Sequence, residues 1–343
     1  MKKFFLFASL ALFLSTCTTD VDLLDNWKET TVIYGLLNQA DTMQYIRIQK
    51  AFLGPDNAYT MAQEFDSINY INQLDVRLEE LYNGNVINSW PLYPDTISNK
   101  APGIFSYPMQ VVYALHTGAP SFFNTAHQYH LVVKNNQTGN TADATTSLMS
   151  DFNMIAPQGP SISIVKINSN TMNSISWGSC PKARIFQVGL TFHYSETDVN
   201  NNTVSKATPE WMLGTVYTDS LSALDPQSTT FDPNDFYRFI ANNIPQDPNV
   251  VSRKDEFITI TVYAGGEALY TYMETNGASN SVVQDRPFYT NINNGLGIFS
   301  ARYGKSKTNL TLTPLTIDTL AMGQFTCGLR FKDRNGVISA GCQ

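Results

Sequence analysis

Between Phe186 and Tyr194 apolar and polar residues alternate without a break. Phe186, Val188, Leu190, Phe192 and Tyr194 fall on one side, and Gln187, Gly189, Thr191, His193 and Ser195 on the other. Successive side chains of a strand point to opposite faces, so this segment is a strand with one face in a core. Shorter segments of the same kind lie at 31–37, 44–53, 74–81, 107–115 and 128–134. They are rich in Val, Ile and Tyr and are separated by turn residues such as Asn83-Gly84-Asn85 and Pro102-Gly103. Only 15% of the chain is charged, while 43% is hydrophobic and 12% aromatic. Such a chain is predicted to be mostly β, with polar turns in place of charged helix surfaces.

The cluster Ala156-Pro157-Gln158-Gly159-Pro160 breaks the pattern, and the pattern restarts after it. Two consecutive β-sandwich domains are expected, at 29–155 and 161–343, with 54–72 as a loop or short helix in the first. A short strand with Ile175 and Trp177, a turn with Pro181 and the long strand after it look like the opening of an immunoglobulin or fibronectin III-like sandwich. Trp177 is then a core residue. The second domain is expected to carry a helical insertion at about 232–277. Asp232-Pro233 reads as an N-cap with proline at N1. Phe236, Phe239, Ile240 and Ile244 follow at helical spacing. A strand is expected at 257–264. A second helix is expected at 267–276, with Leu269, Tyr272 and Met273 on one face and Gly277 as its stop. The segment 291–299 reads as a glycine-rich loop, and Phe325, Cys327, Leu329 and Phe331 as a last strand.

The first residues read as an export signal. Lys2 and Lys3 precede an apolar run at 4–14, and then comes Leu14-Ser15-Thr16-Cys17. This predicts a lipoprotein signal peptide at 1–16, a lipidated Cys17 and an acidic tether over 17–28. The lipid would anchor the chain to a membrane. The net charge of −7 argues against nucleic acid as a partner. Of the remaining cysteines, Cys327 and Cys342 flank the turn signal Asp333-Arg334-Asn335-Gly336. A cross-strand disulfide between them and three unpaired buried cysteines are both open readings.

No catalytic motif stands out. His127 and His130 are three apart, which on a strand puts their rings on opposite faces, so no metal site is expected. No cofactor fingerprint is present. Asp-Ser or Asp-Thr followed by an aliphatic residue occurs at Thr42, Ser67, Thr96, Ser220 and Thr319, against about one or two chance occurrences for this composition. This triplet resembles the O-glycosylation signal of exported Bacteroidota proteins; alternatively, the pairs simply begin turns. A binding site is expected at Phe288, Tyr289, Asn291 and Asn293, where aromatic and amide side chains sit beside a glycine-rich segment. The competing reading is structural: the asparagines satisfy loop backbone while Ile298 and Phe299 fill the core.

Two stretches carry a resemblance: Tyr34-Gly35-Leu36-Leu37-Asn38 with Tyr45 through Gly54, and Asn291 through Ser300. Both resemble a family of uncharacterised Bacteroidota outer-membrane lipoproteins, known only by a domain of unknown function and often encoded near TonB-dependent transporters. The resemblance implies an outer-membrane address, with the body on the periplasmic or the cell-surface side. Together these readings predict a non-enzymatic, lipid-anchored protein that binds a ligand or a protein partner, such as a TonB-dependent transporter. The alternatives are a glycan or peptide hydrolase with a dispersed site, or a structural component of the envelope.

Overall fold

Alternation becomes strands along most of the chain in the computed structural model, which describes residues 30–51, 58–119, 121–218, 225–277 and 288–339. The signal peptide, Cys17, the tether, Ser220 and Cys342 lie outside the described residues. The strands are β1 (Thr30–Asn38), β2 (Met43–Ala51), β3 (Leu74–Tyr82), β4 (Asn85–Ile97), β5 (Gln110–His116), β6 (Gln128–Asn135), β7 (Thr141–Ser147), β8 (Met154–Ala156), β9 (Ser161–Ile162), β10 (Asn173–Trp177), β11 (Ala183–Asp198), β12 (Thr203–Ala207), β13 (Trp211–Tyr217), β14 (Gln227–Phe231), β15 (Val250–Gly266) and β16 (Gly295–Leu312). The helices are α1 (Ala58–Gln63), α2 (Phe65–Ile68), α3 (Pro233–Asn243), α4 (Glu267–Gly277) and α5 (Pro314–Met322).

The protein is mostly β, with one large mixed sheet and one small sheet. The large sheet runs β12-β11-β15-β16-β1-β2-β5-β4-β3-β6-β7, with β13 also on β11 and β9 also on β16. Among the described residues, its one long parallel pairing joins β1 to β16, from Thr31 opposite Gly295 to Asn38 opposite Arg302. β4 changes partner along its length. Asn85 to Leu92 pair with β3, and Tyr93 to Ile97 with β5. Pro91 and Pro94, which lack an N–H, flank the switch. The sheet then curls until β7 meets the residues before β16. Asp143 and Asn293 exchange both backbone hydrogen bonds, at 3.2 and 2.8 Å. The small sheet, β14-β10-β8, lies across the core, where Trp177 packs on Phe186 with ring centroids 5.3 Å apart. Trp177 is fully buried, the core position expected of it.

One buried cluster runs from Ile33, Leu78 and Leu131 in the first half to Ile175, Phe192 and Ile260 in the second. The segment 156–161, at which the two sandwiches were expected to divide, is exposed from Gln158 to Ser161 and is tied to β16. Thr311 N donates to Pro160 O at 2.9 Å, and Lys307 Nζ reaches Pro157 O and Gln158 O at 2.6 and 2.8 Å.

Both expected helices form. Asp232 caps α3 by accepting from Asn234 N at 2.8 Å. The stretch between them is not an insertion, however: β15 runs through it and pairs with both β11 and β16. Two further expectations are corrected. The glycine-rich segment 291–299 is a loop only to Asn294, because β16 starts at Gly295. At Gly297, φ is 102° and a Cβ would run into the Ile33 carbonyl, so glycine is there for the close approach of β1. The alternation of Phe325, Cys327, Leu329 and Phe331 does not make a strand. α5 precedes it, a 3-10 turn spans Cys327–Leu329, and only Phe331 bridges to Arg253.

Candidate functional site

α4 crosses the outward side of the large sheet over β11, β15 and β16. Register sets Ile185, Gly265 and Arg302 side by side on β11, β15 and β16, with Gln187 opposite Tyr263 one step along. α4 follows β15 directly and folds back over this row. A Cβ on Gly265 would lie 2.9 Å from Leu269 Cδ2 and 2.7 Å from Ile185 Cγ2, so glycine lets the helix settle. Leu269 N donates to the buried Ser300 Oγ at 3.3 Å. Beyond the helix, β13 and the residue before it supply the far wall, Met212 and Glu210.

Between these walls is a cleft of about 410 Å³, a size that suits a small ligand or a few side chains of a partner. Its floor is Ile185, Gln187, Tyr263, Ala264 and Gly265. Met212 and Met273 stand at the rim, 44% and 37% exposed. Methionine is unbranched and polarizable, so such a rim adapts to the shape it meets. Two charged groups enter the lining. Glu210 accepts from Tyr263 OH at 2.9 and 3.1 Å. Burial, and then this hydrogen bond, push the Tyr263 phenol up. Arg302 is exposed, lies 3.8 Å from Asp41, and acts on the Tyr263 phenol across the cleft.

Stacked cations hold the helix at both flanks. The Arg184 guanidinium lies 5.0 Å from the centre of the Tyr270 ring, which also meets Tyr217. Arg47 lies 4.7 Å over Tyr34, and Tyr34 meets Tyr272 edge-on at 6.3 Å. Among the described residues, Arg47 Nε and Arg184 Nη1 are buried without a hydrogen-bond partner, and the ring faces of Tyr34 and Tyr270 receive the two guanidinium groups. The arrangement offers an apolar floor, an adaptable rim, one carboxylate and one guanidinium. Among the described residues, no group of three His, Cys, Asp or Glu is placed to hold a metal.

The residues expected to bind fall elsewhere. Phe288 is 64% exposed and Tyr289 is half-buried, its phenol raised by burial and then by Glu267. Asn291 is committed to the fold: its Nδ2 donates to Phe299 O at 2.7 Å and its Oδ1 accepts from Phe299 N at 2.9 Å. Asn293 Nδ2 donates to Asp143 Oδ2 at 3.0 Å beside the backbone exchange that closes the sheet. Ile298 and Phe299 are buried.

Of the hydroxyls in Asp-Ser/Thr triplets, Thr42 and Thr96 are exposed. Ser67 is half-buried in α2, and Thr319 Oγ1 donates within α5 to Leu315 O at 2.8 Å. Cys180 is free and buried, and burial pushes its thiol up to about 12. Cys327 is disulfide-bonded, with a partner outside the described residues, so three unpaired cysteines are excluded. The turn after it forms, with Gly336 N donating to Asp333 O at 2.9 Å.

His127 and His130 serve different faces. His127 Nδ1 lies 2.6 Å from Glu80 Oε1, whereas His130 lies 3.0 Å from both Glu79 and Asp143. Burial pushes the Glu80 carboxyl up, but hydrogen bonds from Asn88, His127 and Tyr129 outweigh it and hold it below its ordinary value.

The cleft residues Glu210, Met212, Tyr263 and Arg302 carried no sequence signal. Only the Leu269–Tyr272–Met273 face of α4 pointed there. No curated protein matches the chain. Residues 18–308 match the family model described as "Domain of unknown function (DUF4249)", a span that takes in both walls and the floor of the cleft, and the chain belongs to that family.

Proposed function

We propose that this chain is a non-enzymatic, lipid-anchored lipoprotein of the outer membrane that binds a ligand or protein partner through the α4 cleft, as an accessory to a TonB-dependent transporter. The observation that carries the reading is the cleft itself. It joins an apolar floor, a methionine rim and an exposed Arg302, features that suit recognition of a partner. Within this reading, the C-terminal half is a modified fibronectin III-like sandwich whose small sheet packs on β11. Thr42 and Thr96 are the accessible sites for glycosylation, and Cys342 is the partner of Cys327.

A photo-crosslinking residue at Met212, in cells, tests the proposal. A stoichiometric membrane-protein adduct is expected, lost with Arg302→Glu and absent from a control position at Val204 on β12. Cys17→Ala should release the protein from the membrane pellet. Turnover of a glycan or peptide panel by the purified chain, or an adduct indifferent to Arg302→Glu, overturns the reading.

A further inference from the structure

The fold begins at one end of the molecule, and that end carries an unusual surface. Thr30, the first described residue, pairs with Ala51, and Thr31 Oγ1 lies 3.1 Å from Tyr70 OH. Asn69 bridges to Gln49. These links put α1, α2 and the segment between β4 and β5 around the start of β1. The β4–β5 segment is held by its backbone: Ser106 N donates to Ala62 O at 2.8 Å, and Lys100 N to Pro108 O at 3.1 Å. Its large apolar side chains nevertheless point out. Ile104, Phe105, Tyr107 and Met109 are 50–56% exposed, and Tyr59 on α1 is 66% exposed. Lys100 Nζ donates to Ser106 O at 2.7 Å and lies 5.5 Å over the Phe105 ring.

We propose that Tyr59, Ile104, Phe105, Tyr107 and Met109 form a bilayer-contact patch that seats in the headgroup boundary of the membrane holding the chain. The inference rests on the reading of Cys17 as the lipid anchor. Three observations favour a bilayer as the occupant. Thr30, the described residue nearest Cys17 in sequence, lies at this same end. Residues 18–29 span ~40 Å at full stretch, so the patch is always within reach of the membrane. Tethering makes the contact intramolecular, and a patch too weak to hold a free protein is then sufficient. Aromatic rings with polar tips and aliphatic side chains are the chemistry of the interfacial layer. Glu64 and Asp66 are exposed next to the patch, so apolar seating on zwitterionic lipid drives the contact rather than attraction to anionic lipid.

The test places the full mature chain on phosphatidylcholine–phosphatidylethanolamine vesicles containing dibrominated lipid. One arm uses the native anchor. The other uses Cys17→Ser, held by an N-terminal hexahistidine extension on nickel-chelating lipid. Phe105→Trp emission, after subtraction of the parent chain, should fall about twofold in both arms, because interfacial rings sit at headgroup depth. Tyr217→Trp, beside the cleft, should not change. Ile104→Trp replaces the probe if Phe105→Trp lowers the melting temperature. If the patch probe in the second arm is quenched no more than Tyr217→Trp, the patch is not a bilayer contact, and a protein occupant gives this same result. If mass spectrometry finds no acyl chains on Cys17, the anchor reading fails while the second arm still decides the patch.

Discussion

Arg253 on β15 is 1% exposed, and three parts of the chain depend on it. Its Nε donates to Glu196 Oε1 at 2.8 Å, Nη1 to Leu329 O at 2.6 Å and Nη2 to Pro245 O at 2.9 Å. Lys206 pairs with the other oxygen of Glu196. Arg253→Met keeps an unbranched stem as far as the Nε position but removes the guanidinium from a buried carboxylate and two carbonyls. Breaking a buried pair from one side costs about 3–5 kcal/mol. Lys206 stays on Glu196, so we expect the lower end, about 3 kcal/mol. With a urea slope of about 3 kcal/mol/M, the unfolding midpoint should fall by about 1 M, read by tryptophan fluorescence.

The loss should depend on pH. Burial pushes the Glu196 carboxyl up, but hydrogen bonds from Lys206 and Arg253 outweigh it and hold it below its ordinary 4.5. A depressed carboxyl contributes stability above its unfolded value and loses it as pH falls through the folded value. Without Arg253 the depression shrinks. The gap between parent and variant should therefore be widest near pH 7 and narrow below about pH 4. Arg253→Met/Glu196→Leu should regain much of the loss, because no charge is then stranded. A gap under about 1 kcal/mol at pH 7, or one equal at pH 7 and pH 3.5, refutes the reasoning.

Gly297→Ala forces a Cβ into the Ile33 carbonyl at a φ of 102° and should cost at least about 2 kcal/mol in the same urea assay; a neutral result would mean that the β1–β16 pairing is looser than described. Asn291→Ala strands the N–H and C=O of Phe299 and should lower stability by about 2 kcal/mol, whereas Phe288→Ala should change it by less than about 0.5 kcal/mol. Thermal melts of the pair check this, and equal losses would contradict the structural role of Asn291.

The sequence was readable where local period and local structure agree. The alternation in β11 names its buried face because a strand has a period of two. Asp232-Pro233 marks the start of α3 because capping is a local event. The reading failed where a residue answers to a distant partner. Gly295 and Gly297 look like loop residues, but they make room for β1. Pro91 and Pro94 hide β4, because prolines at a change of partner imitate a turn. The alternation around Cys327 imitates a strand, while the Thr313-Pro314 start of α5 is the stronger local signal and went unread. The cleft was invisible because Leu36, Gln187, Glu210, Tyr263 and Arg302 come from separate segments that meet only through register. Asn291 and Asn293 are enriched for closing the sheet, and enrichment alone does not separate closure from binding.

The short run from Asn293 to Arg302 completes two sheet edges at once, β7 through Asp143 and β1 through its parallel pairing. Synthesis delivers β1 to β7 long before that run exists. The first half must therefore wait as an open, curling sheet with both edges unpaired, each able to recruit a foreign strand. Pairing across so much intervening chain also makes the late step slow. A chain cut before Asn293 would present both of those edges, and its solubility would then depend on what shields them.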